Sequence, residues 1–205
     1  VHTKEQQMQP AKINYKIYQG STFQESYRWE SETKVYEPIV VVSKSAPCVI
    51  ATASTHSLPA GWRFRVTGVG GMKEINSVGD SYHLATSVGA STITLNQVNS
   101  TQYSNYTSGG IVEYNQPVPL QAYSARMQIR ETVESPVALY STTSGPGGNI
   151  VIDLTLSTIT ITIPASVTQN FSFSTAVYSL ELYESNGIVL PFLTGNLTLV
   201  PEVTR

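Results

Sequence analysis

Along most of the chain, apolar and polar residues alternate at a period of two, the spacing that puts one row of side chains on each face of a β-strand. In "WRFRVT", Trp62, Phe64 and Val66 share one face while Arg63, Arg65 and Thr67 share the other. "YSARMQIR" puts Tyr123, Ala125, Met127 and Ile129 in an inner row, and "TITITI" does the same with Ile159, Ile161 and Ile163. Further strands are predicted at "INYKIY", "TFQESYRW", "YEPIVVV", "YHLAT", "STITL", "GGIVEY", "NIVIDL", "AVYSLELY", "IVLPFL" and "NLTLV". The segments "TSGG" (Thr107 to Gly110), "GPGGN" (Gly145 to Asn149) and "SNG" (Ser185 to Gly187) supply residues that tolerate positive φ and so read as turns. Helical periodicity is almost absent. The one predicted helical turn is "PASVTQN", opening on Pro164, where a first turn accepts proline. Many short strands separated by turn residues predict an all-β protein.

A composition shift divides the chain. Residues 1–42 and 117–205 carry tyrosines, carboxylates and long alternating strands, whereas 43–116 are richer in Gly, Ser, Thr and Asn. "YEPI" and "PVPL" read as two halves of one interrupted strand and turn, so the expected organisation is a discontinuous outer domain (1–42 and 117–205) with a module inserted at 43–116.

At 205 residues and 40% hydrophobic content, the chain has enough apolar surface to build a packed core. Charged residues make up only 13%, about half of the roughly 25% of an ordinary soluble protein, so the surface relies on hydroxyls. With 12 basic and 14 acidic residues and no basic run, the chain lacks the patch that a nucleic-acid or membrane-surface binder needs. The polar start "VHTKEQQMQPAK" has no apolar signal core, and no apolar run approaches the ~20 residues that span a bilayer. A soluble protein made in a cytoplasm is therefore expected. The one cysteine, Cys48, excludes an internal disulfide framework and a multi-cysteine zinc site; in "CVIATA" it reads as a small buried strand residue. His2, His56 and His83 show no metal-ligand spacing, and His56 in "THSLPAG" reads as a turn residue bonded to backbone.

Two chemical readings invite a test. "RVTGVGGMKEIN" resembles a phosphate loop, but Gly68, Gly70 and Gly71 lead into Met72, Lys73 and Glu74, without the Walker hydroxyl; Lys73 also stands where a dinucleotide fingerprint needs its third glycine. No helix pattern follows. A strand entering a tight turn, with Ile75 returning to the core, accounts for the segment. Paired carboxylates for glycoside hydrolysis could come from Glu25, Glu30, Asp153, Glu181 and Glu184, yet Glu25 and Glu181 alternate with apolar neighbours as solvated strand faces do. No G-x-S-x-G elbow occurs. The expectation is a protein without enzymatic activity, cofactor or metal.

The stretches "YQGSTFQESYRW", "PVPLQAYSARMQIR", "ITITIPASVT" and "AVYSLELYESNGIVLPFLTGNLTLVPEVTR" resemble the N-terminal domain of bacteriophage baseplate upper proteins, which hold receptor-binding fibres on the tail. Within 43–116, "IATASTHSLPAGWRFRVTGVGGMKEIN", "STITLNQV" and "YTSGGIV" resemble a small β-barrel module of phage tail proteins, named after the first catalytic cysteine half-domain of ubiquitin-activating enzymes. That resemblance implies structural positions only, chiefly Gly61, Gly68, Gly70, Gly71, Asn76, Gly109 and Gly110, and no catalysis. Together the two imply an Ig-like β-sandwich outer domain carrying an inserted small β-barrel. They depart from the pattern in that the outer domain is split at the P-x-x-L turn.

The function implied is a structural component of a tailed-phage virion, placed in the tail or baseplate. It would serve as an adaptor bridging copies of itself and other virion proteins, with host glycan contact as a further partner class and no nucleic-acid or membrane partner. Aromatic anchors for such contacts are Tyr15, Tyr18, Tyr27 and Trp29 in the outer domain and Tyr103 and Tyr106 in the insert. Competing readings are a capsid decoration protein, a carbohydrate-binding module that exposes Trp62 and the loop tyrosines, and an envelope hydrolase using Glu25 or Glu181.

Overall fold

In the computed structural model, residues 9–202 are described, and His2 lies outside them. Among the described residues the alternating pattern produces sixteen strands. In chain order they are β1 (Ala11–Lys12), β2 (Tyr15–Tyr18), β3 (Phe23–Arg28), β4 (Glu30–Val42), β5 (Cys48–Thr52), β6 (Arg63–Thr67), β7 (His83–Leu84), β8 (Ser87–Val88), β9 (Thr92–Leu95), β10 (Ile111–Pro117), β11 (Tyr123–Arg130), β12 (Tyr140–Thr143), β13 (Ile150–Asp153), β14 (Thr158–Ile163), β15 (Thr175–Glu184) and β16 (Val189–Val200). The predicted helical turn is α1 (Ala165–Thr168), with Pro164 one position earlier in extended backbone. A 3-10 turn over Lys73–Ile75 is additional to the sequence expectation. The protein is nearly all-β.

Among the described residues the strands form three sheets. One has the order β1-β16-β15-β11-β12, with β2 also on β16; a second runs β7-β6-β10-β4-β5-β9-β8; a third is β13-β14-β3. The stretches "IVLPFL" and "NLTLV", predicted as separate strands, are one twelve-residue strand, β16. Pro191 is accommodated because the pairing with β15 shifts register between Leu180 and Glu181, the kind of irregularity that tolerates a residue without an N–H. Farther along, β1 and β2 run parallel to β16 on its other side. There Gly195 is required by close approach, since a Cβ would collide with the Ile13 carbonyl oxygen.

By its internal packing the chain divides into two units. One comprises the described residues up to Tyr27, with Leu120–Leu154 and the described residues from Thr158; the other comprises Arg28–Pro119 with Thr155–Ser157. The division differs from the expected boundary at 42/43. "YEPI" is not half of an interrupted strand: it lies inside continuous β4, which pairs with β10 over most of its length and with β5 at its end. "PVPL" begins at Pro117, the last residue of β10, opposite Glu30.

In the second unit the inner rows meet in one core that includes Cys48, Ile50, Trp62, Phe64, Val66, Met72, Ile75 and Ile93. The edge strands β7 and β8 are joined by Ala85 and Thr86 alone; Ala85 N–H donates to the Trp62 carbonyl beside β6, and Thr86 N–H to the Thr94 carbonyl in β9. In the first unit the expected rows Ala125, Met127 and Ile129, and Ile159, Ile161 and Ile163, are buried, while Tyr123 is half-buried. Aromatic contacts link the six-stranded sheet to the three-stranded one: Tyr15 meets Phe23 at 5.3 Å and Tyr27 meets Phe192 at 6.5 Å between ring centroids.

Candidate interaction sites

The strand phase decides which side chains of the second unit face outward. With Phe64 and Val66 in the core, Arg63 and Arg65 of β6 point away from it, and the register of β10 and β4 builds rows across the sheet. Tyr36 pairs with Glu113, which pairs with Arg65; Pro38 pairs with Ile111, which pairs with Thr67; and Lys34 pairs with Asn115. Tyr36 is 57% exposed and Tyr82, from the loop before β7, is 50% exposed.

Ion pairs organise this face. Arg63 makes a bidentate contact with Glu30, Nε to Oε1 at 2.9 Å and Nη2 to Oε2 at 2.8 Å, and Asn115 Nδ2 donates to the same carboxylate at 3.3 Å. Lys34 Nζ pairs with Glu113. The guanidinium carbons of Arg63 and Arg65 lie 5.0 and 6.0 Å from the Tyr82 ring centroid, within cation-π range. Glu30, Lys34, Arg63, Arg65, Tyr82 and Glu113 line a cavity of about 150 Å³. Arginine and tyrosine gathered on one outer face are the residue types that carry binding energy at protein interfaces.

Of the six aromatic anchors expected from sequence, Tyr18 alone is exposed, at 59%. Tyr15 and Tyr27 join hydroxyl to hydroxyl, and Tyr15 also packs 5.7 Å from Tyr178, whose hydroxyl donates to the Ile13 carbonyl at 2.9 Å. Burial raises the phenol pKa of Tyr15, Tyr27 and Tyr178 above the ordinary value. Trp29 is half-buried, and its carbonyl accepts the Val118 N–H at 3.0 Å. Tyr103 and Tyr106 pack against the core of the second unit, with the Tyr106 hydroxyl between the carbonyls of Ile39 (3.1 Å) and Gly109 (3.0 Å). Tyr36 and Tyr82 were not among the anchors expected. For Tyr36 the signal was present, because it lies out of phase with Val35 and Ile39; the loop around Tyr82 carries no periodicity.

The other chemical candidates resolve locally. The glycine loop is a turn: Gly68 and Gly71 have φ of +72° and +75°, Gly70 N–H donates to Ser108 O at 2.8 Å, and the Asn76 amide both accepts from Val69 N–H and donates to Val69 O. Met72 and Ile75 are fully buried below it. Trp62 cannot serve as a sugar-stacking platform, being 0% exposed with Nε1 donating to the Asn115 carbonyl at 2.9 Å. Cys48 is a buried free thiol whose pKa burial raises. His56 bonds backbone through its N–H to Ala90 O. His83 Nε2 lies 2.8 Å from Ile75 O, and burial lowers its pKa. Glu181 pairs with Arg126 at 2.7 Å and Glu184 accepts from Asn186, while Glu25 on β3 and Asp153 on β13 are half-buried. Among the described residues, no three His, Cys, Asp or Glu side chains gather as a metal set, and no helix is long and apolar enough to cross a membrane.

No protein-family model matches the chain, and the search of curated proteins returns no match.

Proposed function

We propose that the chain is a non-enzymatic structural component of a tailed-phage virion, an adaptor of the tail, baseplate or fibre attachment that bridges neighbouring virion proteins and copies of itself. In this reading the first unit is an Ig-like β-sandwich and the second a small β-barrel closed through Ala85 and Thr86. The observation that carries the docking role is the outer face of the second unit, where Tyr36, Tyr82, Arg63 and Arg65 stand around paired charges. The phage setting rests on the sequence resemblances. A stable contact of this kind buries about 1,200–2,000 Å² in total, and the symmetry of a tail would repeat it.

The test is gold-labelled antibody against the chain on intact particles of the phage that encodes it, viewed by electron microscopy. Label at the tail or collar is expected. Label spread over the head would replace the adaptor with a decoration protein, and absence of label with a demonstrably accessible epitope would remove the virion role.

A further inference from the structure

Within the proposed docking face, the charges do not balance locally. Glu30 is taken by Arg63 and Asn115, and Glu113 by Lys34, although Glu113 sits directly across the strands from Arg65. Among the described residues Arg65 has no carboxylate partner. Its Nη2 donates to the Gly79 carbonyl at 2.6 Å, while its Nε is buried without any acceptor. A guanidinium N–H removed from water and left unpaired is costly, and the group that best satisfies it together with a neighbouring N–H is a carboxylate, whose two oxygens match the planar fork. The surrounding cavity, at about 150 Å³, has room for one acidic side chain, and its three cations face two carboxylates that are already engaged.

We infer that Arg65 is a receptor for an aspartate or glutamate side chain presented by the docked protein partner. The carboxylate would accept from Nε and from Nη2, the pair on one side of the guanidinium that Arg63 already offers to Glu30, with Nη2 shared with the Gly79 carbonyl and the half-exposed Tyr82 ring, which stands beside both guanidinium groups, turning to admit it. Arg63 and Lys34 remain paired internally and hold the walls of the cavity. This inference rests on the docking role proposed above and names the chemistry of the partner.

The experiment is a titration of the intact chain with a blocked tetraglutamate peptide, following the Arg65 Nε–Hε resonance and the Tyr82 ring protons by NMR. The expected result is a saturable shift of both, weakened at least tenfold by Arg65→Gln and also by Arg65→Lys, which keeps the charge but not the fork. The matched tetraglutamine peptide should give no shift. Retained backbone dispersion in each variant shows that the fold is intact. An unsaturable response, an equal affinity in the Arg65→Gln chain, or a stronger response to glucuronate than to the peptide would overturn the inference, the last in favour of an acidic sugar. Failure here leaves gold labelling of the tail unaffected, whereas failure of the labelling leaves this titration unaffected, so the two outcomes are separable.

Discussion

Trp62 shows how a single side chain changes meaning once its surroundings are known. Its indole is enclosed by the core of the second unit and its N–H is bound to the Asn115 carbonyl. Trp62→Phe keeps an aromatic body but leaves that carbonyl without its donor, so a loss of about 1–3 kcal/mol in denaturant-unfolding stability is expected. The buried phenols make a second prediction at this scale. Because burial raises the folded pKa of Tyr27 and Tyr178 above the unfolded value near 10, the stability they contribute is complete below about pH 10 and is lost as pH rises through their folded values. Their phenolate absorbance should therefore appear together with loss of the β-sheet circular dichroism, after the exposed tyrosines have titrated. Ionisation of all twelve tyrosines with the sheets still intact would show that this packing is wrong. His83 works in the opposite sense: burial lowers its folded pKa, so its share of stability is present above about pH 6.5 and falls away as the solution is acidified.

Among the elements, β16 and β4 carry the instructive cases. Gly195→Ala places a methyl against the Ile13 carbonyl, and separation of the parallel strands β1 and β2 from β16 is expected to cost about 1–3 kcal/mol, measured by thermal or chemical unfolding. On the outer face of β4 and the neighbouring loop, Tyr36→Ser and Tyr82→Ser remove no core contact. Stability should stay within about 0.5 kcal/mol of the parent, while incorporation into particles drops tenfold or more if this face docks a partner. Much at this scale was legible in the sequence. Period-two alternation correctly assigned Phe64, Val66, Met127, Ile129 and the three isoleucines of β14 to the interior. The joining of two predicted segments into β16 was not legible, since Pro191 and Gly195 ordinarily punctuate strands and only their opposite neighbours make them tolerable.

For the whole molecule, the two candidate boundaries make different predictions. Residues 28–119 contain β4 through β10 and the core of the second unit, so this fragment is expected to fold alone with one cooperative unfolding transition. Residues 43–116 lack β4, which lies between β10 and β5 in the sheet, and should fail to fold. Circular dichroism and denaturant titration of both fragments decide the matter. Composition had suggested the shorter span because β4 carries the tyrosine, glutamate and lysine that are typical of the flanking segments. Those residues lie on its outer face and at its start, whereas Ile39 and Val42 belong to the second core.

What the sequence determined by itself was the all-β class, the inward rows, the turns at Gly145–Asn149 and Ser185–Gly187 and the buried setting of Cys48, because each depends on residues adjacent along the chain. The tertiary structure decided which strands are neighbours, where the units divide, and which aromatics are exposed. Tyr15 and Tyr27 share the strand phase of Ile17 and Phe23, and what packs them, Phe23, Tyr178 and Phe192, comes from distant segments, while Tyr36, Glu113 and Arg65 line up only because β4, β10 and β6 are neighbours in the sheet. Exposure and charge pairing depend on contacts between residues distant in sequence, and a local pattern holds no record of them.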